Sequence, residues 1–518
     1  MARTPMGVQD ALWLTMDRPN NLMVIDTVMW FREVPDWDEV EGVIRDRLLD
    51  RYPVFTRRPV MDGSGWAWED DPGFTIGDHV LRVTLPGPGD LSELQEFVAV
   101  QRSVPFDKTK PLWSMSLIDG LTFPDGTPGA AVMSRFHHAI ADGIRLVQVA
   151  LGMCDLQDSP PPSSVGRKLR RSTTASAIAA STARNVSGGV LDIGLSAAET
   201  MVDSFAGIVD TAQAAAARDF DHVLDRVTSV GERVFRTGSS VVRYPERIMD
   251  VTRLLSSPEN RVVNDVATVG KLALATASSL AGGGTRTVWT GSPGVGKGAN
   301  WASLVPLDHV KEIRRATATT VNDVLMAAVS GTLTRYLREH SDDTTDEVFW
   351  MIPVSVKPLD IDLPTELGNH FALVALRMPL GIDDVRTRLG EIHERMERIK
   401  NSDEALLTFS IQRGVSAAPA PVATALTNAL SDIAVGVLTN VPGPAHPMTF
   451  AGAVVDGVLG WAPCTGNQAM TVCIFSYNGR VAVGFGTDAT LVPDGERLGQ
   501  LFDEEFAQMY SQVLGHLP

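Results

Sequence analysis

The stretch HHAIADG at residues 137–143 decides how this chain is interpreted, because it places a titratable base, an acid and a glycine in one HHxxxDG segment. Residues 129–136, just before it, have the apolar character of a partly buried strand. Ile144, Val147 and Leu151, just after it, recur at helical spacing. The two histidines are therefore predicted to lie where a strand ends and a helix begins. An imidazole with a pKa of about 6.5 accepts a proton near neutral pH, which makes this junction a candidate catalytic site.

Two other interpretations of the same segment stay open at this point. A histidine is often a hydrogen-bonded structural residue, and Asp142 with Gly143 is also typical of a helix cap. A metal site is less favoured, because His137 and His138 point to opposite faces of a strand or diverge by about 100° on a helix. His138 and Asp142 have ligand-like spacing on a helix, but the sequence offers no third cluster of ligands.

Other short motifs surround this segment in a fixed order. They are Gln9–Leu14, Pro19–Met23, Pro53–Arg58, Asp78–Val80, Pro111–Trp113 and Asp119–Leu121 before it, and Val321–Leu325, Pro353–Ser355, Gly368–Asn369, Thr439–Pro444 and Ser476–Gly479 after it. With these motifs the chain resembles the bacterial wax ester synthase/diacylglycerol acyltransferase family of the HHxxxDG coenzyme A-dependent acyltransferase superfamily. The flanking motifs distinguish this family from peptide-forming condensation domains, which HHxxxDG alone also resembles.

The resemblance implies a mixed α/β (α+β) fold of two lobes, similar to chloramphenicol acetyltransferase, with a helical linker between the lobes. It implies that His138 is the proton acceptor and that Asp142 braces the site through an ion pair. His137 is expected to position the reactive ring through hydrogen bonds, and Gly143 to let the backbone turn tightly into the helix. Asn322 is the candidate to face this centre from the second lobe and hold an oxyanion, with a helix N-cap or turn role as the alternative.

The implied reaction transfers an acyl group from long-chain acyl-CoA, as a substrate, to a lipid hydroxyl, with no cofactor and no metal. We expect diacylglycerol as the acceptor and triacylglycerol as the product. Wax ester synthesis with long-chain fatty alcohols in the same site is the alternative. Two further alternatives are a condensation-type acyltransferase fed by a carrier protein and a non-catalytic lipid-droplet binding protein. The latter has no need of an intact HHxxxDG segment.

A glycine-rich stretch, GSPGVGKG at residues 291–298, resembles a phosphate-binding loop of the form GxxxxGK. Its last position is Gly298, which lacks the hydroxyl that serine or threonine supplies to Mg²⁺. The preceding residues are too few and too polar for a buried strand, so nucleotide hydrolysis is not expected. Lys297 also stands alone where the family has a basic pair, and Lys357 stands where an arginine is common. A lysine ammonium does not make the paired, bidentate hydrogen bonds that an arginine guanidinium makes to a phosphate.

Length and composition indicate a protein with more than one core. The 518 residues exceed the roughly 250 to 300 at which single hydrophobic cores stop growing. A net charge of −17 disfavours nucleic acid as a partner. Three cysteines are too few for a disulfide framework, which fits a reducing compartment. Because residues 1–6 show no secretory signal, we expect a cytoplasmic protein that attaches peripherally to the inner membrane or to lipid droplets.

The chain is expected to divide into three parts. Residues 1–158 form the N-terminal lobe with HHxxxDG, residues 159–298 a Pro-rich linker and helical insert, and residues 299–518 the C-terminal lobe. The basic residues 167–171 precede mildly apolar helical segments, which is typical of a helix that rests on a membrane surface. A solvated charged face beside a linker is the alternative.

Two long uncharged stretches, residues 433–455 and 457–479, are predicted to be core strands and turns. They are long enough to cross a membrane, but prolines and glycines interrupt them. A hairpin is predicted at residues 470–486, and its first strand lies in the second of these stretches. Asn478 and Gly479 supply the positive φ angles of its type I′ turn.

Overall fold

The computed structural model describes residues 3–63, 65–156, 287–341, 345–355, 363–369, 371–400, 427–428, 431–432 and 434–515. The helices within these residues are α1 (Val8–Met16), α2 (Trp37–Ile44), α3 (Leu91–Arg102), α4 (Gly143–Gly152), α5 (Leu307–Thr317), α6 (Val321–Glu339), α7 (Val385–Lys400) and α8 (Glu496–Leu514). The strands are β1 (Arg3–Pro5), β2 (Val24–Phe31), β3 (Arg57–Asp62), β4 (Gly65–Asp70), β5 (Val80–Thr84), β6 (Trp113–Thr122), β7 (Pro128–His137), β8 (Asp155–Leu156), β9 (Lys297–Trp301), β10 (Val305–Pro306), β11 (Glu347–Ser355), β12 (Phe371–Pro379), β13 (Gly436–Pro442), β14 (Met448–Phe450), β15 (Ala453–Trp461), β16 (Met470–Tyr477) and β17 (Arg480–Asp488).

The first lobe is built on a sheet with the strand order β5-β6-β7-β2-β15-β14-β8. β2 pairs antiparallel with β7 on one side and with β15 on the other. All residues of β2 are buried, as expected for a central strand that is covered on both faces. β14 and β15 come from the far end of the chain, so the first sheet is completed only when the C-terminal half folds against it.

The second lobe is built on a sheet with the strand order β10-β17-β16-β13-β11-β12, and β9 pairs with β17. Helix α6 is almost entirely buried against this sheet and the other helices of the lobe, because its sequence is apolar or small on every face. Three tryptophans connect the two sheets. The rings of Trp30 on β2 and Trp301 on β9 stack with 5.9 Å between centroids, and Trp301 contacts Trp461 on β15 at the same distance.

The architecture confirms the predicted mixed α/β fold with two sheet-rich lobes. The predicted strand 129–136 lies within β7, and the helix predicted after HHxxxDG is α4. The uncharged stretches contain β13, β14, β16 and most of β15, so their described residues form strands and turns, as predicted. No helix in the described part of the chain is long and apolar enough to span a bilayer.

Part of the predicted domain division falls on residues that the structure does not describe. Most of the insert predicted for 159–298, including the basic residues 167–171, lies outside the described residues, as does Lys357. The described chain resumes before β9, which begins at Lys297. The boundaries at 158 and 298 therefore stay predictions.

The hairpin of β16 and β17 turns at Asn478 and Gly479, with φ values of 46° and 74°. We predict that Gly479→Ala lowers the free energy of unfolding by about 1 to 2 kcal/mol, because a Cβ disfavours the left-handed conformation. No atom lies within 4 Å of the added Cβ, so the loss comes from the backbone alone. Urea denaturation measures it.

Gly42→Ala is the matched control for this substitution. Gly42 lies inside α2, also with nothing within 4 Å of an added Cβ, but with a helical backbone. There alanine should stabilise the protein by about 0.5 to 1 kcal/mol. Equal effects of the two substitutions would contradict the type I′ turn.

Candidate active site

The HHxxxDG segment begins at the last residue of β7. His137 ends the strand and pairs with Val24 of β2. His138 is the first residue beyond the ladder, and its backbone N–H donates to the carbonyl of Met23 at 2.7 Å. Helix α4 begins at Gly143. The predicted junction between a strand and a helix is confirmed, and it places the two histidines on either side of the point where the chain leaves the sheet.

The imidazole of His138 is enclosed by aromatic rings from both lobes. Trp13 of α1 stacks on it with 4.3 Å between ring centroids, and Phe371, the first residue of β12, lies at 5.5 Å. His138 is only 6% exposed. Its Nδ1 is buried and has no hydrogen-bond partner among the described residues. A buried ring nitrogen without a partner is costly, which marks this imidazole as a candidate functional group.

Burial keeps this imidazole neutral. Removal from water lowers the pKa of His138 to about 4, because a charged ring is disfavoured in a low-dielectric environment. Burial also lowers the pKa of the neighbouring His137, although the interaction with Asp17 opposes that shift. A neutral imidazole has one nitrogen with a free lone pair and is able to accept a proton at neutral pH.

His137 is completely buried and is held by the first lobe. Its Nδ1 accepts a hydrogen bond from the backbone N–H of Ala139 at 3.0 Å, which folds the segment back on itself. Its Nε2 lies 3.7 Å from Oδ1 of Asp17. The carboxylate of Asp17 also accepts from the backbone N–H of Met23 and lies 3.0 Å from Nζ of Lys108. His137 therefore lies beside Asp17, which is bound by Met23, the residue before β2 whose carbonyl also accepts from the backbone N–H of His138.

Asp142 caps helix α4. Its carboxylate accepts a hydrogen bond from the backbone N–H of Arg145 at 3.0 Å, and its Oδ2 lies 4.0 Å from Nε of the same residue. This separation is at the outer limit of an ion pair, so the bracing ion pair expected of Asp142 stays a prediction. Gly143 begins α4 in a helical conformation, and an added Cβ would meet only Ile25 at 3.8 Å. Neither a positive φ nor a close neighbour requires glycine at this position, and the expected role of Gly143 in the turn stays a prediction.

Asn322 lies in the first turn of α6. The N-cap of that helix is Thr320, whose hydroxyl accepts from the backbone N–H of Asp323, while the Asp323 carboxylate accepts from Thr320. The alternative N-cap role for Asn322 is therefore wrong, because the capping box already fills that position. The side-chain Oδ1 of Asn322 accepts from Nδ2 of Asn440 at 2.8 Å. Its oxyanion role stays a prediction.

Among the residues that contact His138 or its immediate partners without a role assigned from sequence are Trp13, Asp10 and Asn369. The amide of Asn369 donates to the backbone carbonyl of His138 at 2.9 Å and to Oδ1 of Asp10 at 2.7 Å. All three lie within the quoted motifs Gln9–Leu14 and Gly368–Asn369, so the motifs pointed to these positions. Only the fold shows that the two motifs come together at His138.

Lys297 lies in a strand and not in a phosphate-binding loop. Its ammonium group donates to the carbonyls of Asn20 and Gly294 at 2.7 and 2.9 Å and to Oδ2 of Asp488 at 2.6 Å. Three acceptors match the three protons of a lysine. The segment continues into β9, so the helix that a phosphate loop requires does not follow it. Within the described residues, no cluster of three or more His, Cys, Asp or Glu side chains is arranged to hold a metal ion.

The two-lobed fold, with an HHxxxDG segment enclosed at the contact between the lobes, defines a class of acyltransferase folds. Residues 6–230 match the wax ester synthase/diacylglycerol acyltransferase catalytic domain, and residues 367–510 match the WS/DGAT C-terminal domain. The chain belongs to the wax ester synthase/diacylglycerol acyltransferase family and is an acyltransferase.

Named relatives agree with this assignment, and solved structures share the fold. The chain is 21% identical to O-acyltransferase WSD of Acinetobacter baylyi, over 98% of this chain and 97% of that protein. It is 23% identical to a Mycobacterium tuberculosis protein named Probable diacylglycerol O-acyltransferase tgs1, over 92% and 88% of the two chains. The wax ester synthase/diacylglycerol acyltransferase from Marinobacter aquaeolei VT8 superposes with a TM-score of 0.64 at 17% identity, covering 98% and 99% of the chains. A condensation domain of the calcium-dependent antibiotic synthetase shares the fold, with a TM-score of 0.51 at 13% identity over 99% and 96%.

We predict that the imidazole of His138 stays neutral well below the pH at which an ordinary histidine gains its proton. Because burial holds its pKa at about 4, its ring ¹⁵N signals should stay those of a neutral imidazole from about pH 8 to about pH 5.5. Only small changes are expected as Asp10, whose pKa burial raises to about 6, gains its proton. NMR of protein labelled with ¹⁵N-histidine measures this, and His138→Ala identifies the signal. A midpoint near the ordinary value in the folded protein would contradict the buried placement of the ring.

We predict that Asp142→Ala lowers the free energy of unfolding by about 1 kcal/mol, because the backbone N–H of Arg145 loses its acceptor. Asp142→Asn retains a side-chain oxygen at the cap and should lose less. Urea denaturation followed by circular dichroism compares the two variants. Equal losses would show that the negative charge of Asp142, and not the cap, stabilises this junction.

Proposed function

We propose that the chain esterifies the free hydroxyl of diacylglycerol with a long-chain acyl group from acyl-CoA, with His138 as the general base. The observation that carries this proposal is the environment of the imidazole. The imidazole is neutral and buried, and it packs against Trp13 of the first lobe and Phe371 of the second, where the two lobes meet. A hydrophobic enclosure of this kind suits an apolar acyl chain and excludes the water that would hydrolyse a thioester.

The proposed reaction needs a base because the acceptor hydroxyl is un-ionised at neutral pH. His138 takes the hydroxyl proton while the oxygen attacks the carbonyl carbon of the thioester. The carbon–sulfur bond then breaks, and the CoA sulfur leaves as a thiolate that recovers the proton from the imidazolium. The thiolate is a far better leaving group than an alkoxide, because its thiol has a pKa close to that of cysteine, about 8.5. The step uses no covalent acyl-enzyme and no metal.

A buried imidazole with a depressed pKa is a weak base before the substrate reacts. As the hydroxyl oxygen attacks, negative charge develops on the thioester carbonyl oxygen beside the ring. An adjacent negative charge favours the protonated imidazole, so the basicity of His138 rises while the proton moves. Proton transfer and attack are therefore coupled in this proposal.

Asn322 is the proposed contribution of the second lobe to oxyanion stabilisation. The hydrogen bond from Asn440 uses the side-chain oxygen of Asn322 and not its donor nitrogen. An amide N–H donor is the kind of group that holds a developing oxyanion. The position of Asn322 in the first turn of α6 also places it at the positive end of a helix dipole.

Diacylglycerol is proposed as the acceptor because the mycobacterial relative is named a diacylglycerol O-acyltransferase. Wax ester synthesis is the second candidate, because the Marinobacter enzyme, whose name includes wax ester synthase, has the same fold. Either acceptor dissolves in lipid and not in water. We therefore propose that the chain works at the surface of a membrane or a lipid droplet.

The test is an assay of lipid products with the purified chain, palmitoyl-CoA and either dioleoylglycerol or hexadecanol in phospholipid vesicles. We predict that the wild type forms triacylglycerol and that His138→Ala lowers kcat about 10²- to 10⁴-fold. His309→Ala is the control, because His309 lies on α5 and contacts Tyr510. It should change kcat less than about twofold.

Each outcome of this assay has a defined meaning. Wax ester formed much faster than triacylglycerol would exchange the proposed acceptor for the second candidate. Full activity of His138→Ala would overturn the general-base role. Absence of any ester product would overturn the proposed acyl transfer from acyl-CoA to a lipid hydroxyl.

A further inference from the structure

The side chain of Asn369 crosses from the second lobe to the first. It lies just before β12 and is only 5% exposed. Its Nδ2 donates to the backbone carbonyl of His138 at 2.9 Å and to Oδ1 of Asp10 at 2.7 Å. Both protons of the amide are therefore engaged with groups of the first lobe.

These contacts complete the backbone hydrogen bonds of His138. Its N–H donates to the carbonyl of Met23, the residue just before β2, and its carbonyl accepts from the amide of Asn369. The neighbouring Gly368 accepts from the backbone N–H of Asp142 at 3.4 Å, and Phe371 contacts the imidazole itself. One short stretch of the second lobe thus holds the catalytic segment at its backbone and at its ring.

Asp10 explains why the amide of Asn369 points as it does. An ionised carboxylate only accepts hydrogen bonds, so it selects the NH₂ side of the amide. In the opposite orientation, Oδ1 of Asn369 would face the Asp10 carboxylate and the His138 carbonyl, which are both acceptors. In the observed orientation Oδ1 is buried with no hydrogen-bond partner among the described residues. That arrangement is unfavourable for Oδ1 itself, which indicates that donation to the two oxygens determines it.

We propose that Asn369 is a positioning residue for the general base: its amide fixes the backbone carbonyl of His138 and so the direction of the imidazole, and Asp10 fixes the amide. This inference rests on the proposed function of His138. A base that is displaced by about 1 Å loses as much as 10²-fold in rate, because the reacting atoms no longer align. The second lobe therefore acts on the base through this amide and not only by enclosing the substrate.

The first test compares kcat and KM for palmitoyl-CoA, with dioleoylglycerol vesicles, at about pH 8. Asn369→Ala should lower kcat about 10- to 100-fold and change KM less than about threefold. Asn21→Ala is the matched control. Asn21 is also buried, has an unpartnered Oδ1 and donates across the lobes, at 2.7 Å to the carbonyl of Gly466, but it does not contact His138. Its kcat should stay within about threefold of the wild type.

A double variant separates two effects of Asn369: the positioning of His138, and the hydrogen bond to position 10 that joins the two lobes. Asp10→Asn with Asn369→Asp restores a donor and an acceptor between positions 10 and 369, but places a carboxylate against the His138 carbonyl. The inference predicts that kcat stays low in this variant. Wild-type kcat in the double variant would overturn the inference, since only the tie between the two positions would then matter. The double variant also serves if Asn369→Ala does not fold.

The second readout does not depend on activity. The ¹⁵N ring signals of His138 should shift in Asn369→Ala and in the double variant, and stay unchanged in Asn21→Ala. Both readouts must change together, so a wild-type value of either one in Asn369→Ala overturns the inference. If the wild-type chain forms no ester at all, the proposed function fails. The ring signals then decide alone whether Asn369 positions His138.

Discussion

The pairing of β2 between β7 and β15 is the constraint on which the site depends. The ladder between β2 and β7 ends where Val24 faces His137, and one further backbone bond, from His138 to Met23, releases the chain from the sheet. Because side chains alternate along a strand, a slip by one residue would exchange the faces of the two histidines. The register therefore decides which histidine is buried against Asp17 and which one faces Trp13 and the second lobe.

The same strand carries the charge network that joins the lobes. Asp26 of β2 is buried and accepts from Arg135 of β7 at 3.0 Å and from Arg102 of α3 at 3.2 Å. Arg102 in turn donates to the carbonyl of Gly298 in β9 at 2.5 Å. Buried charges are tolerated only when they are paired, so displacement of any member leaves another uncompensated. The position of His138 and the contact between the lobes thus depend on one strand and cannot be altered independently.

Local features were predictable from the residues themselves, the two-lobed fold only through the family resemblance, and individual long-range contacts not at all. The strand before HHxxxDG, the helix after it and the type I′ turn at Asn478 and Gly479 follow from periodicity and turn chemistry, which act over a few residues. The capping box of Thr320 and Asp323 was also readable, and it would have ruled out the N-cap role for Asn322. The bond from Asn369 to His138 spans 231 residues of sequence, so no local pattern encodes it. Its existence depends on how the second lobe is placed by β14 and β15.

The environment of His138 constrains how it can work as the proposed base. An imidazolium in this site would be buried against the rings of Trp13 and Phe371, and its Nδ1 makes no hydrogen bond to the described residues. Such a charge is strongly disfavoured unless an opposite charge forms beside it. The oxyanion of the proposed reaction is that charge. In the proposed reaction, protonation of His138 is therefore coupled to attack on the thioester. Burial weakens the base before the reaction begins. It also keeps the imidazole neutral, and so able to accept a proton, until both substrates are aligned.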